Sequence, residues 1–298
     1  MTFSARVKAE LCKCPVESAD TALAEFCGIV LFANTFDSRS LRITTENQDF
    51  AARVSKLLKM LFGFDFDRKV IPANSVKKYS FTVDHQDKLS AIYDAFGYDM
   101  RTTHTLHLNG ALVEDEASRV AFVRGAFLAG GSMIDPEREY HWELVTSHYH
   151  LSREVLALLY ELEAPAKVTV RKSNQVIYFK ESGHIEDLLT RIGAPVSAMA
   201  VMETKMFKEL RNTVNRKVNC ETANLSKTVD AAGAQLEAIE KIQAAAGLDS
   251  LPDKLAQAAL LSLEHPEASL AELADKLGVS KSGLNHRLRK LLEIAENM

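Results

Sequence analysis

The sequence predicts an α+β fold class, with a duplicated αβαββα domain followed by an all-α helix-turn-helix domain. Three observations predict it. One hydrophobic pattern occurs twice, offset by 101 residues. Strand-like alternation stops near residue 200, and the remaining chain reads as helix after helix. The last thirty residues carry the small–glycine–apolar spacing of two helices crossing at a tight turn.

The duplication is read from side-chain periodicity. Phe50, Val54, Leu57, Leu58 and Leu61 match Leu151, Val155, Leu158, Leu159 and Leu162. Their spacing of i, i+4, i+7, i+8 and i+11 marks one face of a helix. Each copy follows an alternating run, Leu41-Ile43-Thr45 in the first and Trp142-Leu144-Thr146 in the second, as expected for strands. Two further strands are expected in each copy, over 64–71 and 78–83 and over 166–171 and 176–180. A short helix then ends at Gly97 or Gly193. An apolar helix with a central glycine precedes each unit, around Gly28 and around Gly125. The repeats span about 20–97 and 117–193 within a domain of residues 1–200.

Beyond it the pattern predicts a basic linker helix over 201–219 and a helix-turn-helix domain over 220–298. Within the linker, residues 205–217 carry Lys205, Lys208, Arg211, Arg216 and Lys217 against a single acid, Glu209, and the stretch is rich in asparagine. Thr222 to Ala246 reads as a separate helix with Leu225, Val229, Ala232, Leu236, Ile239 and Ile242 on its apolar face. Ser250-Leu-Pro-Asp253 resembles a capping box. The helix it opens points Leu255, Ala259, Leu260 and Leu263 inward and stops at His265-Pro266. Ser269 and Glu272 form a second capping box, and Leu270, Leu273, Ala274 and Leu277 a buried face. Gly278 permits a left-handed turn, and Ser280 caps the last helix. Leu284, Leu288, Leu291 and Leu292 complete the core. The outward face then offers Lys281, Ser282, Asn285, His286 and Arg289, side-chain types that reach phosphates and base edges in a major groove. From Ser280 to Lys290 there are four cations, Lys281, Arg287, Arg289 and Lys290, and no acid. An ordinary helical hairpin with a solvated face is the alternative; the turn spacing and the one-sign face favour DNA.

Composition sets the outer limits. Of 298 residues, 47% are hydrophobic and 26% charged, enough apolar side chain for folded domains. No apolar run reaches ~18 residues, so neither a membrane span nor a signal peptide is expected. Four cysteines, with Cys12 and Cys14 as a C-x-C pair, read as reduced thiols in a cytoplasmic protein without a zinc site. The net charge of −4 leans against a nucleic-acid binder, yet the cations cluster in two segments.

The paired glycine helices resemble those of LAGLIDADG homing endonucleases. There two such helices pack side by side and each ends in an acid that binds a divalent metal. Aligned on Gly28 and Gly125, the expected carboxylates fall on Ala33 and Gly130, which are not ligands. Asp37 and Asp135 lie past the helix ends. The fold expectation is therefore a degenerate LAGLIDADG-like domain with no catalytic residue, no metal and no cofactor. The rival is a metal-dependent endonuclease of that class acting through Asp37 or Asp135.

Such a domain joined to a helix-turn-helix resembles the WhiA family of bacterial proteins. FVRGAFLAGGSMIDPEREYHWELVT (122–146), ELRNTVNRKVNCETANLSKTV (209–229), GLDSLPDKL (247–255) and SKSGLNHRLRKL (280–291) carry the resemblance, which covers essentially the whole chain. It implies a cytoplasmic, nucleoid-associated regulator of transcription that binds double-stranded DNA sequence-specifically. It also implies roles in cell division, chromosome segregation or, in some bacteria, sporulation. The expected DNA-binding residues are Ser280, Lys281, Ser282, Asn285, His286, Arg287, Arg289 and Lys290, with Lys208, Arg211 and Arg216 of the linker. The first domain is expected to meet a sigma factor or another regulatory protein. Alternatively it touches the DNA backbone through Arg42, Lys77, Lys78, Lys167, Arg171 and Lys172.

Overall fold

The computed structural model describes residues 2–72, 78–103 and 105–298; Lys77 lies outside them. The chain forms two compact units, Met1–Glu209 and Leu210–Met298.

The first unit opens with α1 (Phe3–Leu11) and α2 (Ala19–Leu31), the latter begun by a capping box between Ser18 and Thr21. Strands β1 (Thr35–Phe36) and β2 (Leu41–Thr45) lead into α3 (Gln48–Phe62). Strands β3 (Arg68–Val70) and β4 (Tyr79–Val83) lead into α4 (Gln86–Ala95). The second copy repeats the order: α5 (Glu116–Gly130), β5 (Gly131–Met133), β6 (Trp142–Thr146), α6 (Tyr149–Glu161), β7 (Lys167–Arg171), β8 (Asn174–Phe179) and α7 (Ser182–Ile192). Each copy makes a four-stranded antiparallel sheet, ordered β1-β2-β4-β3 and β5-β6-β8-β7. The duplicated α+β class is as the periodicity predicts. Each copy adds one short strand, so αβαββα becomes αββαββα. β1 and β5 have two and three residues, too few to show alternation.

The two sheets flank a central helix pair, α2 and α5. A Cβ on Gly28 would overlap the carbonyl oxygen of Phe122, and one on Gly125 that of Glu25. The backbones therefore touch, and only hydrogen fits between them. Around this contact Phe26, Ile29, Val30, Phe122, Ala126 and Phe127 are fully buried. Trp142 of β6 stacks between Phe127 and Phe179 at ring centroid distances of 5.3 and 4.8 Å.

One ionic cluster is buried beside the pair. The Glu25 carboxylate of α2, 2% exposed, accepts a forked pair of bonds from Arg53 of α3 and a contact from Arg124 of α5 at 3.3 Å. Arg53 also donates to the carbonyls of Cys12 and Cys14, and Arg124 to that of Ile192. All three charges are thereby paired in an otherwise apolar interior, the condition under which buried ions are tolerated.

After α7 comes α8, running without interruption from Pro195 to Ala245. This corrects the expectation of a linker helix over 201–219 followed by a separate helix from Thr222. No proline lies in the interior of α8, and Cys220-Glu221 breaks nothing. The division between the compact units falls inside this helix, at Glu209/Leu210, about nine residues after the expected domain boundary. Both of its ends are packed and its middle is not: Ala198 and Val201 are buried in the core of the first unit and Ala238, Ile239 and Ile242 in that of the second, whereas Leu225 and Val229 of the expected apolar face are exposed.

The second unit continues with α9 (Asp253–Glu264), α10 (Leu270–Lys276) and α11 (Lys281–Glu296). The capping box expected at Ser250 is not formed. Its hydroxyl donates back to the Gly247 carbonyl at 2.7 Å, and Pro252 occupies the N-cap. On α9, Leu255, Ala258, Ala259 and Ser262 are the buried side and Leu260 points to solvent. With 3.6 residues per turn, position 260 lies across the helix from the 255/258/262 row.

The glycine contact yields a stability prediction. Gly125→Ala must push two backbones apart and should cost about 3 kcal/mol, the upper range for overpacked sites. Gly183→Ala, where an added Cβ meets nothing within 4 Å, should stay within about 0.5 kcal/mol. Urea unfolding of both variants beside the parent chain measures the difference.

Candidate nucleic-acid interface

The helix-turn-helix is assembled from local signals. Ser269 accepts the N–H of Glu272, and the Glu272 carboxylate accepts the N–H of Ser269, fixing the start of α10. Those bonds, led by the one from Ser269, hold the Glu272 carboxyl below its usual range. After Leu277 the chain turns at Gly278, whose φ of +64° is left-handed. Two residues later Ser280 accepts the N–H of Gly283 at 3.1 Å and opens α11. Leu273 and Ala274 of α10 meet Leu284, Leu288 and Leu291 of α11 in one buried cluster with Ala258 and Ala259 of α9.

Packing these leucines inward fixes what α11 shows outside. Lys281, Ser282, Asn285, His286, Arg289 and Lys290 are all exposed. At about 100° per residue, Ser282, Asn285, His286 and Arg289 share an arc of about 100°, flanked by Lys281 and Lys290. Glu293 and Glu296 lie on the same side in the last turns. The face is thus cationic and amide-bearing over its first three turns and acidic after them.

Not every expected residue joins this face. Arg287 is half-buried on the flank of the leucine row, and its guanidinium lies 3.4 Å from the Lys254 carbonyl of α9. Lys208, in the first unit, donates to the Pro136 carbonyl at 2.6 Å and sits 4.4 Å from the Tyr140 ring centre. Arg211 and Arg216 are exposed on α8. One cation was not foreseen: Lys227 of α8 borders a groove of about 370 Å³ together with His265, Lys281 and Asn285. No local motif could reveal it, since 54 residues separate Lys227 from Lys281.

The first unit has a second polar site. Where α2 and α5 end side by side, a cleft of about 290 Å³ is lined by Ala33, Asn34, Thr35, Gly130, Thr146, Ser147, His148 and Asn174, among others. Burial keeps the His148 imidazole below its usual range. No carboxylate lines this cleft among the described residues, so its donor set does not fit a divalent cation. Asp37 and Asp135 are engaged in turns: Asp37 Oδ1 accepts the N–H groups of Arg39 and Ser40 at 2.8 and 2.9 Å, and Asp135 Oδ1 that of Glu137 at 3.0 Å.

The cations of the two sheets are partly engaged. Arg171 is paired with Glu143 at 2.9 Å, and Lys78 with Glu46 at 3.4 Å. Arg42 donates to the Thr35 hydroxyl. Lys167 and Lys172 are exposed. Glu143 also accepts from Ser132 and His141. Burial would raise its carboxyl, but these bonds and that from Arg171 outweigh it and hold it below the usual range.

Residues 119–211 match the WhiA LAGLIDADG-like domain, and residues 214–295 match the WhiA C-terminal HTH domain. The chain is 38% identical over its full length to the "Probable cell division protein WhiA" of Clostridium botulinum, covering 99% of that protein. It is 39% identical to the protein of the same name from Clostridium perfringens, covering 98% of it. Among solved structures it resembles full-length DUF199/WhiA from T. maritima, with a TM-score of 0.61, 26% identity and coverage of 100% and 99% of the two chains. No described helix is long and apolar enough to cross a membrane.

The turn between α10 and α11 is open around Gly278, so a methyl group there meets no atom and only the backbone is strained. Gly278→Ala should cost about 1–2 kcal/mol, and Ser280→Ala about 1 kcal/mol through the lost cap. Thermal unfolding of each variant measures these losses.

Proposed function

The chain belongs to the WhiA family, and we propose that it is a sequence-specific, double-stranded-DNA-binding regulator of transcription acting in cell division and chromosome segregation. The observation that carries the DNA reading is the exposed face of α11. Ser280 and Gly278 fix the start of this helix, and its leucine row is buried, so its first three turns project a rigid set of donors.

In this reading α11 enters the major groove with its N-terminal turns. Lys281, Arg289 and Lys290 neutralise phosphates, and Ser282, Asn285 and His286 approach base edges, Asn285 suiting an adenine. Arg287, held against α9, contributes to positioning α11 more than to phosphate contact. Lys227 adds a cation beside Lys281. On α8, Arg211 and Arg216 are candidates for backbone contact, whereas Lys208 is occupied by Pro136 and Tyr140.

The first unit is a scaffold without nuclease chemistry in this proposal. The amide and hydroxyl lining of its inter-helix cleft and the turn roles of Asp37 and Asp135 support that reading. Its partner is a sigma factor or another regulatory protein rather than DNA, a view supported by the pairing of Arg171 and Lys78 with acids. The protein acts in the cytoplasm, on the nucleoid.

Gel-shift titrations on the cognate duplex across a salt series test the interface. Arg289→Ala should weaken binding and reduce the salt slope by about 1. Asn285→Ala should lose about 1–3 kcal/mol of discrimination at one base position. Arg287→Ala should leave the salt slope unchanged. Wild-type affinity and slope in both of the first two variants would refute the placement, and Mg²⁺-dependent nicking of supercoiled plasmid would refute the non-enzymatic reading.

A further inference from the structure

The longest helix presents an apolar stripe that the rest of its unit leaves uncovered. From Leu210 the residues Leu210, Val214, Val218, Leu225 and Val229 are each 51–66% exposed. Residues 211–231 of α8 are exposed all round. At about 100° per residue these five side chains fall on one face, within an arc of about 100°. A helix this long without packing is poorly stabilised by propensity alone, and here the asparagines and the β-branched valines and threonines make it worse.

Two features identify what covers the stripe. The first is its symmetry. Read from either end, the positions 210, 214, 218, 221, 225 and 229 have the same spacing about a centre between Asn219 and Cys220. A two-fold contact needs a surface that is its own complement. Turning one copy end over end places Leu210 against the partner copy's Val229 and Val214 against its Leu225. Val218 then meets Glu221, the one charged residue in the row. The second feature is polarity. Residues 210–218 carry Arg211, Arg216 and Lys217 and no acid; the residues that face them in this register, 221–229, carry Glu221 and Lys227. An antiparallel partner brings Lys217 to Glu221, whereas a parallel partner in register sets Lys217 on Lys217 and Glu221 on Glu221. Lys217 lies one turn before Glu221 at the same edge of the stripe, so the antiparallel register makes this pair twice.

We propose that this stripe of α8, from Leu210 to Val229, is the surface through which two copies of the chain pair antiparallel. The helix face opposite the stripe keeps Asn212, Arg216 and Asn219 open to solvent.

Sedimentation and light scattering of the full chain over a roughly hundredfold range of concentration read the association. A monomer–dimer equilibrium is expected for the parent. Val214→Glu/Leu225→Glu should raise the dimer Kd by about a hundredfold or more, with an unchanged circular dichroism spectrum because both positions are exposed in the single chain. Lys217→Glu should weaken pairing at low salt, and Lys217→Glu/Glu221→Lys should restore it. Direction is read by disulfide trapping in a Cys220→Ser background: Leu210→Cys/Val229→Cys should cross-link and Leu210→Cys alone should not. A parent chain monomeric at every concentration, an undiminished dimer in Val214→Glu/Leu225→Glu, or cross-linking of Leu210→Cys alone would overturn the proposal.

Discussion

The contact of two helix backbones at Gly28 and Gly125 is the constraint on which the first unit depends. Any side chain there would meet a carbonyl oxygen of the opposite helix. With the helices in touch, their ends lie together and a sheet sits on either side. The carboxylate beside the contact, Glu25, is neutralised by an arginine from α3 and another from α5. The packing needs small residues, not acids. The cleft at the helix ends keeps hydroxyl and amide groups instead, and the Lys8 ammonium donates to the Leu128 carbonyl near the end of α5 at 3.0 Å. Burial draws that ammonium down to about 8.

The chemistry that points to nucleic acid lies elsewhere, on a surface made by burying leucines. In α11 the row Leu284, Leu288, Leu291 and Ala295 decides which side chains face out, and the sequence of that outer row runs from cations to acids. A chain with a net charge of −4 can therefore present a local cationic patch while its remaining surface repels DNA at large. In the proposed reading, affinity for DNA then falls with salt.

Much of this was legible from residue order. The 101-residue offset exposed the duplication because Phe50 and Leu151 and their partners serve the same core role in both copies, and burial there tolerates few alternatives. The Ser269, Gly278 and Ser280 signals are local, so the helix-turn-helix could be placed to the residue. What failed was decided by competition or by distance. Ser250 had a nearer acceptor in Gly247, so the capping box did not form. Leu260 is apolar but on the wrong side of α9. The unbroken course of α8 was hidden because its middle lacks the apolar burial that reveals most helices. Arg287 and Lys208 read as DNA-binding residues, yet each is within reach of a carbonyl that only the folded chain supplies. The Glu25–Arg53–Arg124 cluster joins residues 28 and 99 positions apart, for which no spacing rule exists.

The most direct test of the central claim, that this family member works as a DNA-reading protein through α11, is genome-wide occupancy in living cells. The parent chain should occupy discrete sites that share one short motif. A chain carrying Asn285→Ala at equal abundance should lose those sites or shift to a relaxed motif. Occupancy that is uniform along the chromosome, or an identical set of sites for both chains, would contradict it.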